Sequence, residues 1–171
     1  MRLILALWPD DKVRLALAAQ RLEIARVTGG RPTMPVTMHM TLVFAGNVPA
    51  SRLLELKMAI AQVRARPFTY VIDTAGCFDS AGVAWLAGAA PPKKLFDLQS
   101  TLYHTVANAD FDVDARRFRP HITITRHIEH SFAQHAITPT PWRVDQFSLI
   151  QAIRDGASIR YETLETWPLT G

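Results

Sequence analysis

Two short strings carry the chemistry this chain can offer. His39-Met40-Thr41-Leu42 recurs as His121-Ile122-Thr123-Ile124, and each lies in a run rich in β-branched and apolar residues. On a strand, residues i and i+2 share a face. Each copy therefore presents an imidazole beside a hydroxyl, roughly 7 Å apart along the backbone. Met40, Leu42, Ile122 and Ile124 point the other way and read as core. Two such strands brought together would gather two His and two Thr around one cavity. That set suits a cyclic phosphodiester. One imidazole can take a proton from water while the other gives one to the leaving alkoxide. The two hydroxyls can donate to the non-bridging oxygens, where negative charge accumulates. With both proton transfers handled by histidine, the chemistry calls for no metal and no cofactor. A lone His-x-Thr carries little, because Thr is common in strands for its β-branching. The argument rests on two copies at matched positions in two halves.

Several elements must position those strings. Residues 2–8 read as a buried strand. Asp10 or Asp11 caps a helix over Lys12–Val27, which Gly29-Gly30 ends. Residues 31–36 read as a loop, Thr37–Ala45 as a strand, and Ser51 as the cap of a helix running to about Arg64. Phe68–Ala75 and Val83–Ala87 read as a strand pair, and Pro91-Pro92 opens a helix to about Asn108. Asp110–Arg119 is a loop or short strand, and His121–Thr125 is a strand opened by Pro120. Within residues 127–141 a short helix over Ser131–Ala136 is expected. Arg143–Ile153 and Ile159–Thr166 read as an antiparallel pair joined at Asp155-Gly156. This order predicts an α+β fold and not a doubly wound parallel sheet.

The chain has 171 residues, 19 Lys+Arg against 15 Asp+Glu, and is 49% apolar. That balance excludes an intrinsically disordered chain. The length fits one domain over residues 1–171, built as two small lobes sharing a core. Cys77 is the single cysteine, so no disulfide forms within the chain. No apolar run is long enough to span a membrane. A cytoplasmic monomer with no membrane partner is the expectation, and the net charge of +4 allows a nucleic-acid partner.

Other residues carry weaker signals. Arg116, Arg117 and Arg119 precede His121 and read mainly as a solvated loop. Any that approached the cleft would favour the neutral form of His121. His127, His130 and His135 fit no metal-ligand spacing and read as a surface loop. Trp8, Trp85, Trp142 and Trp167 read as core or lobe-packing residues, any one of which could instead stack a nucleobase, and Cys77 reads as a small core residue.

The fuller strings are His39-Met40-Thr41-Leu42-Val43-Phe44-Ala45-Gly46 and Arg119-Pro120-His121-Ile122-Thr123-Ile124-Thr125-Arg126. They resemble the paired H-x-[ST]-x motifs of the 2H phosphoesterases. Within that group they are similar to the bacterial and archaeal RNA 2′,3′-cyclic phosphodiesterases, once called 2′-5′ RNA ligases. The resemblance covers most of the chain. It departs at Ala45, where Leu is usual, and at Thr125, where Ala or Gly is usual. It implies two lobes related by a pseudo-twofold axis, each an antiparallel sheet backed by helices, with a cleft between them. It implies hydrolysis of an RNA-terminal 2′,3′-cyclic phosphate to a 2′-phosphate, with 2′-5′ ligation as the reverse. His39 and His121 would then be the catalytic pair, and Thr41 and Thr123 would hold the phosphate. Arg126 would bind substrate, and Phe44 would pack beneath the site or contact a base. It also implies that His39 protonates the leaving oxygen and His121 activates water. The local charge leans the same way, since the arginines cluster around His121. The alternative substrates are a small cyclic nucleotide or an ADP-ribose cyclic phosphate. A module that binds RNA ends without turning them over is the alternative of a different class.

Overall fold

Asp10 starts the first helix by accepting a hydrogen bond from the Val13 amide at 2.8 Å, and Gly29, with φ 68°, ends it. That helix, α1 (Asp11–Thr28), follows strand β1 (Arg2–Leu7). Then come β2 (Arg31–Pro32), β3 (Met40–Asn47), α2 (Leu53–Ile60), β4 (Phe68–Phe78), β5 (Val83–Ala87) and α3 (Lys93–Asn108). β6 (Ile122–Arg126), β7 (His135–Val144), β8 (Gln146–Asp155) and β9 (Ser158–Pro168) complete the series. This computed structural model describes residues 1–156 and 158–171.

The strands form two antiparallel sheets. The first has the order β3-β1-β8-β9 and the second β2-β6-β5-β4-β7. With the helices they make an α+β, two-lobed molecule with a cleft. The helices cross between lobes. α1 follows a strand of the first sheet yet packs on β2, β6 and β7 of the second. α3 follows β5 of the second sheet yet packs on β3 of the first, with α2 beside it. One apolar cluster therefore runs through both lobes. Leu3, Leu5 and Leu7 of the first sheet join Tyr70, Ile72, Leu86, Ile122 and Ile124 of the second. The other face of β1 carries Ile4 and Ala6, which meet Ile150, Trp8 and Tyr161 in a small separate patch.

Five expectations are corrected. Residues 131–136 form no helix; β7 begins at His135, and Ile137, Thr138, Thr140 and two prolines lie within it. Proline breaks a helix but is tolerated on an edge strand, which β7 is. The loop over residues 31–36 instead contains β2, which adds to β6, and a 3₁₀ turn over Pro35–Thr37. Ser51 lies inside a 3₁₀ turn, so α2 begins at Leu53 behind Arg52, with no side-chain cap. α2 also stops at Ile60, where the amides of Gln62 and Val63 turn to Ala59 and Ile60 in tighter i−3 bonds. Arg143 and Val144 end β7, and β8 starts only at Gln146.

Candidate active site

His39 and His121 each sit one residue before a strand, β3 and β6 respectively, and not in mid-strand. At that position each ring folds back on its own chain. His39 Nδ1 lies 2.8 Å from the Thr37 carbonyl oxygen, and His121 Nδ1 lies 2.6 Å from the Arg119 carbonyl oxygen. A carbonyl only accepts, so Nδ1 carries the proton in both rings. Each neutral imidazole thus leaves Nε2 with its lone pair. The same i−2 bond in both halves fixes the same tautomer twice.

The likeness of the halves continues past the threonines. β3 and β6 share the burial sequence buried, half-buried, buried, buried, exposed from Met40 and from Ile122. A pure alternation would bury the residue at His+5. It is exposed because each strand carries a bulge, at Leu42 against β1 and at Ile124 against β5. One extra residue inverts the phase of the strand beyond it. Phe44, which is 38% exposed, and Arg126 therefore return to the faces that carry Thr41 and Thr123. Among the described residues, neither threonine hydroxyl is hydrogen-bonded to a protein group.

Aromatic rings wall the two histidines. Trp8 and Tyr161 meet His39 edge-on, at 5.3 and 4.7 Å between ring centres. Tyr161 lies on β9, three strands from β3, a separation of about 14 Å in a flat sheet. The contact therefore requires the first sheet to curl, bringing the β8–β9 hairpin over its own cleft face. Phe78 meets His121 edge-on at 4.9 Å, and the Arg119 guanidinium stacks on Phe78 at 4.3 Å. Trp85, buried and paired with Thr123 across the ladder, supports the second motif from below. From the sequence, Trp8 and Trp85 read as packing residues with one of the four tryptophans free to stack a base, and Tyr161 and Phe78 carry no signal. Nothing local marks those two; they reach the cleft by long-range pairing alone.

Burial depresses both imidazoles. It pushes His39 down to about 4 against the partial support of the Thr37 carbonyl; the nearby charges of Arg126 and His121 add to the depression. His121 is lowered by burial and by Arg119 and Arg126. That mutual influence places both rings and Arg126 within electrostatic reach of one another. It also overturns the argument that His39, lacking basic neighbours in sequence, holds its proton more easily. Fold and burial bring cations to His39 that sequence distance conceals.

Of the arginines before His121, only Arg119 reaches the histidines. Arg116 is ion-paired with Asp114 and lies 5.9 Å from the Phe44 ring, and Arg117 is exposed. A cavity of about 410 Å³ opens beside Phe44, lined also by Arg2, Gly46, Asp112 and Arg116. Gly46 is required there: its φ is 68°, and a Cβ would lie 2.8 Å from the Asp112 carbonyl oxygen. His127 and His130 are exposed, and His135 sits on β7. Among the described residues, no three His, Cys, Asp or Glu gather as metal ligands would. Cys77 is half-buried, not fully core, and its thiol is pushed up by burial. No helix among the described residues is long and apolar enough to cross a membrane.

A two-lobed α+β chain with one His-x-Thr on the cleft face of each sheet has the architecture of the 2H phosphoesterases. The family described as the 2′-5′ RNA ligase superfamily matches residues 9–156, and the chain belongs to that family. It is 31% identical over 147 residues to an RNA 2′,3′-cyclic phosphodiesterase of Escherichia coli, covering 82% of this chain and 81% of that one. It is 28% identical over 129 residues to an RNA 2′,3′-cyclic phosphodiesterase of Archaeoglobus fulgidus, covering 74% and 72%. The crystal structure of E. coli LigT complexed with 3′-AMP superposes with a TM-score of 0.89 at 28% identity, covering 99% of this chain and 98% of that one.

Proposed function

We propose that the protein hydrolyses the 2′,3′-cyclic phosphate at an RNA end to a 2′-phosphate, with His39 and His121 as the acid–base pair. The observation that carries the reading is the matched pair of Nδ1 bonds to backbone carbonyls, which leaves Nε2 of both rings as the working atom. Four relatives named RNA 2′,3′-cyclic phosphodiesterase support the same chemistry, those of E. coli, A. fulgidus and Thermus thermophilus among them.

In this reading water enters in line with the leaving 3′-oxygen. Nε2 of His121 takes its proton, and Nε2 of His39 protonates the departing oxygen. The Thr41 and Thr123 hydroxyls donate to the non-bridging oxygens as charge builds there. Arg126 draws the phosphate in, and Phe44 offers the face of its ring to a base beside the neighbouring cavity. The acid role makes a demand on His39, whose depressed pKa keeps it neutral in the free protein. A phosphodiester anion bound between the rings opposes that depression, because an opposite charge nearby favours the protonated form. With a 5′-hydroxyl in place of water, the same groups would open the 2′,3′-cyclic phosphate by breaking its bond to the 3′-oxygen, which takes a proton, and leave a 2′-5′ phosphodiester.

The test is hydrolysis of a short oligoribonucleotide ending in 2′,3′-cyclic phosphate, with the product isomer identified. Release of the 2′-phosphate is expected. Absence of turnover with retained binding would make the protein an RNA-end binding module instead.

A further inference from the structure

Seven of the 19 Lys and Arg residues have an acidic partner among the described residues. Arg14, Arg26, Arg52, Arg116 and Arg160 are each ion-paired. Arg31 and Arg126 are different. They face each other directly on the antiparallel pair β2–β6, both are exposed, and among the described residues neither has an ion pair or a side-chain hydrogen bond. Cross-strand partners share a face, with Cβ atoms about 5 Å apart, and like charges opposite each other are destabilising. The arrangement is nonetheless held tightly. Gly30 lets β2 close on β6, since a Cβ there would lie 2.5 Å from Thr125 Cγ2 and 3.0 Å from the Arg126 carbonyl oxygen. The bulge at Ile124 then turns Arg126, and Arg31 with it, to the face of Thr123.

Arg126 is near enough for its charge to act on both imidazoles, and Arg31 lies across from it on β2, the edge strand one further out. A pair of unneutralised cations, one at the reacting centre and one a strand further out, suits an anion that continues beyond the reacting phosphate. A polynucleotide backbone supplies one.

We propose that Arg31, set against Arg126 across the β2–β6 ladder, holds the phosphate one nucleotide upstream of the cyclic phosphate, so that the site takes oligoribonucleotide ends in preference to mononucleotides. This rests on the cyclic-phosphodiesterase reading of the cleft. Arg31 touches substrate but not the reacting atoms; it is a specificity-determining residue.

The experiment compares three substrates in the wild type and in Arg31→Gln. They are a nucleoside 2′,3′-cyclic phosphate, the same compound carrying a 5′-phosphate, and a dinucleotide ending in 2′,3′-cyclic phosphate. The wild type should favour the second and third over the first in kcat/KM, with the advantage in KM. The log–log salt dependence for the dinucleotide should be steeper by about 0.7, the value for one phosphate on a single strand. Arg31→Gln should reduce that advantage about five- to tenfold and remove the extra salt slope. Its Tm should hold or rise, because a repulsion is relieved, which separates lost recognition from lost folding. Equal loss on all three substrates, or an undiminished advantage, would overturn the proposal. A wild type that hydrolyses the nucleoside cyclic phosphate with no advantage for the others would overturn this inference alone. A wild type that hydrolyses none would overturn the underlying activity as well.

Discussion

Replacing either His39 or His121 by Ala should lower turnover roughly 10²-fold or more, the usual contribution of a general acid or base. Thr41→Ala and Thr123→Ala should cost less, since each removes one of several phosphate donors, and Arg126→Ala should act mainly on KM. The division of labour is read with a better leaving group. An aryl phosphodiester needs little protonation, so it should rescue His39→Ala much more than His121→Ala; equal rescue would void the assignment. The depressed imidazoles set the pH dependence. The acid must be protonated and the base neutral, and both free-protein values lie below 6.5. The kcat/KM profile should therefore peak below pH 6.5 and fall as pH rises through it. The descending limb of kcat should sit at higher pH, because bound phosphate raises both values. Coincident limbs in the two profiles would refute that electrostatic coupling. Thr125 offers a stability test at the same scale. It is fully buried, and its hydroxyl has no partner among the described residues. Thr125→Val keeps the shape and removes an unpaired polar group, so it should hold or raise stability, by on the order of 1 kcal/mol, in a denaturant titration.

Strands, helices and the paired motif were largely legible, because local signals write them: Asp10 as a cap, Gly29 as a stop, the apolar positions at 40, 42, 122 and 124. The bulges at Leu42 and Ile124 were not. A bulge is a mismatch between two strands, and neither strand alone records it. Without it, strict alternation puts Phe44 and Arg126 on the face opposite Thr41 and Thr123. The resemblance named those two residues; the bulges give the physical reason they can serve. β2 was hidden for a similar reason, since two residues with a proline read as a loop until β6 is beside them. The loop over residues 110–119 depends equally on close approach. Gly46→Ala adds a Cβ in a left-handed backbone against the Asp112 carbonyl and should cost on the order of 2–3 kcal/mol. Gly82→Ala, also left-handed at φ 61° but facing open space, should cost only about 1 kcal/mol. Equal losses by thermal unfolding would remove the contact with the loop as the cause.

For the whole molecule, the buried histidine couples chemistry to acid stability. The folded state keeps His39 neutral down to about 4, while the unfolded chain protonates near 6.5. The unfolded state binds more protons in that window, so stability falls as pH drops from about 6.5 to 4 and this contribution levels off below. It amounts to at most on the order of 3 kcal/mol. His39→Gln should flatten that part of the pH–stability curve; an unchanged curve would show the ring to be better solvated than its surroundings indicate. Turnover should be the same with and without EDTA, because both proton transfers fall to imidazoles. The strand order has a consequence for a chain made from its N-terminus. β1 pairs with β3 on one side and with β8 on the other. β8 begins only at Gln146, so one edge of the apolar strand Leu3–Leu7 stays unpaired through most of synthesis. An open strand edge is a template for wrong partners. The same late hairpin delivers Tyr161 to His39. A polypeptide released early would thus lack both the cover for β1 and one wall of the cleft, so truncated products should be insoluble as well as inactive.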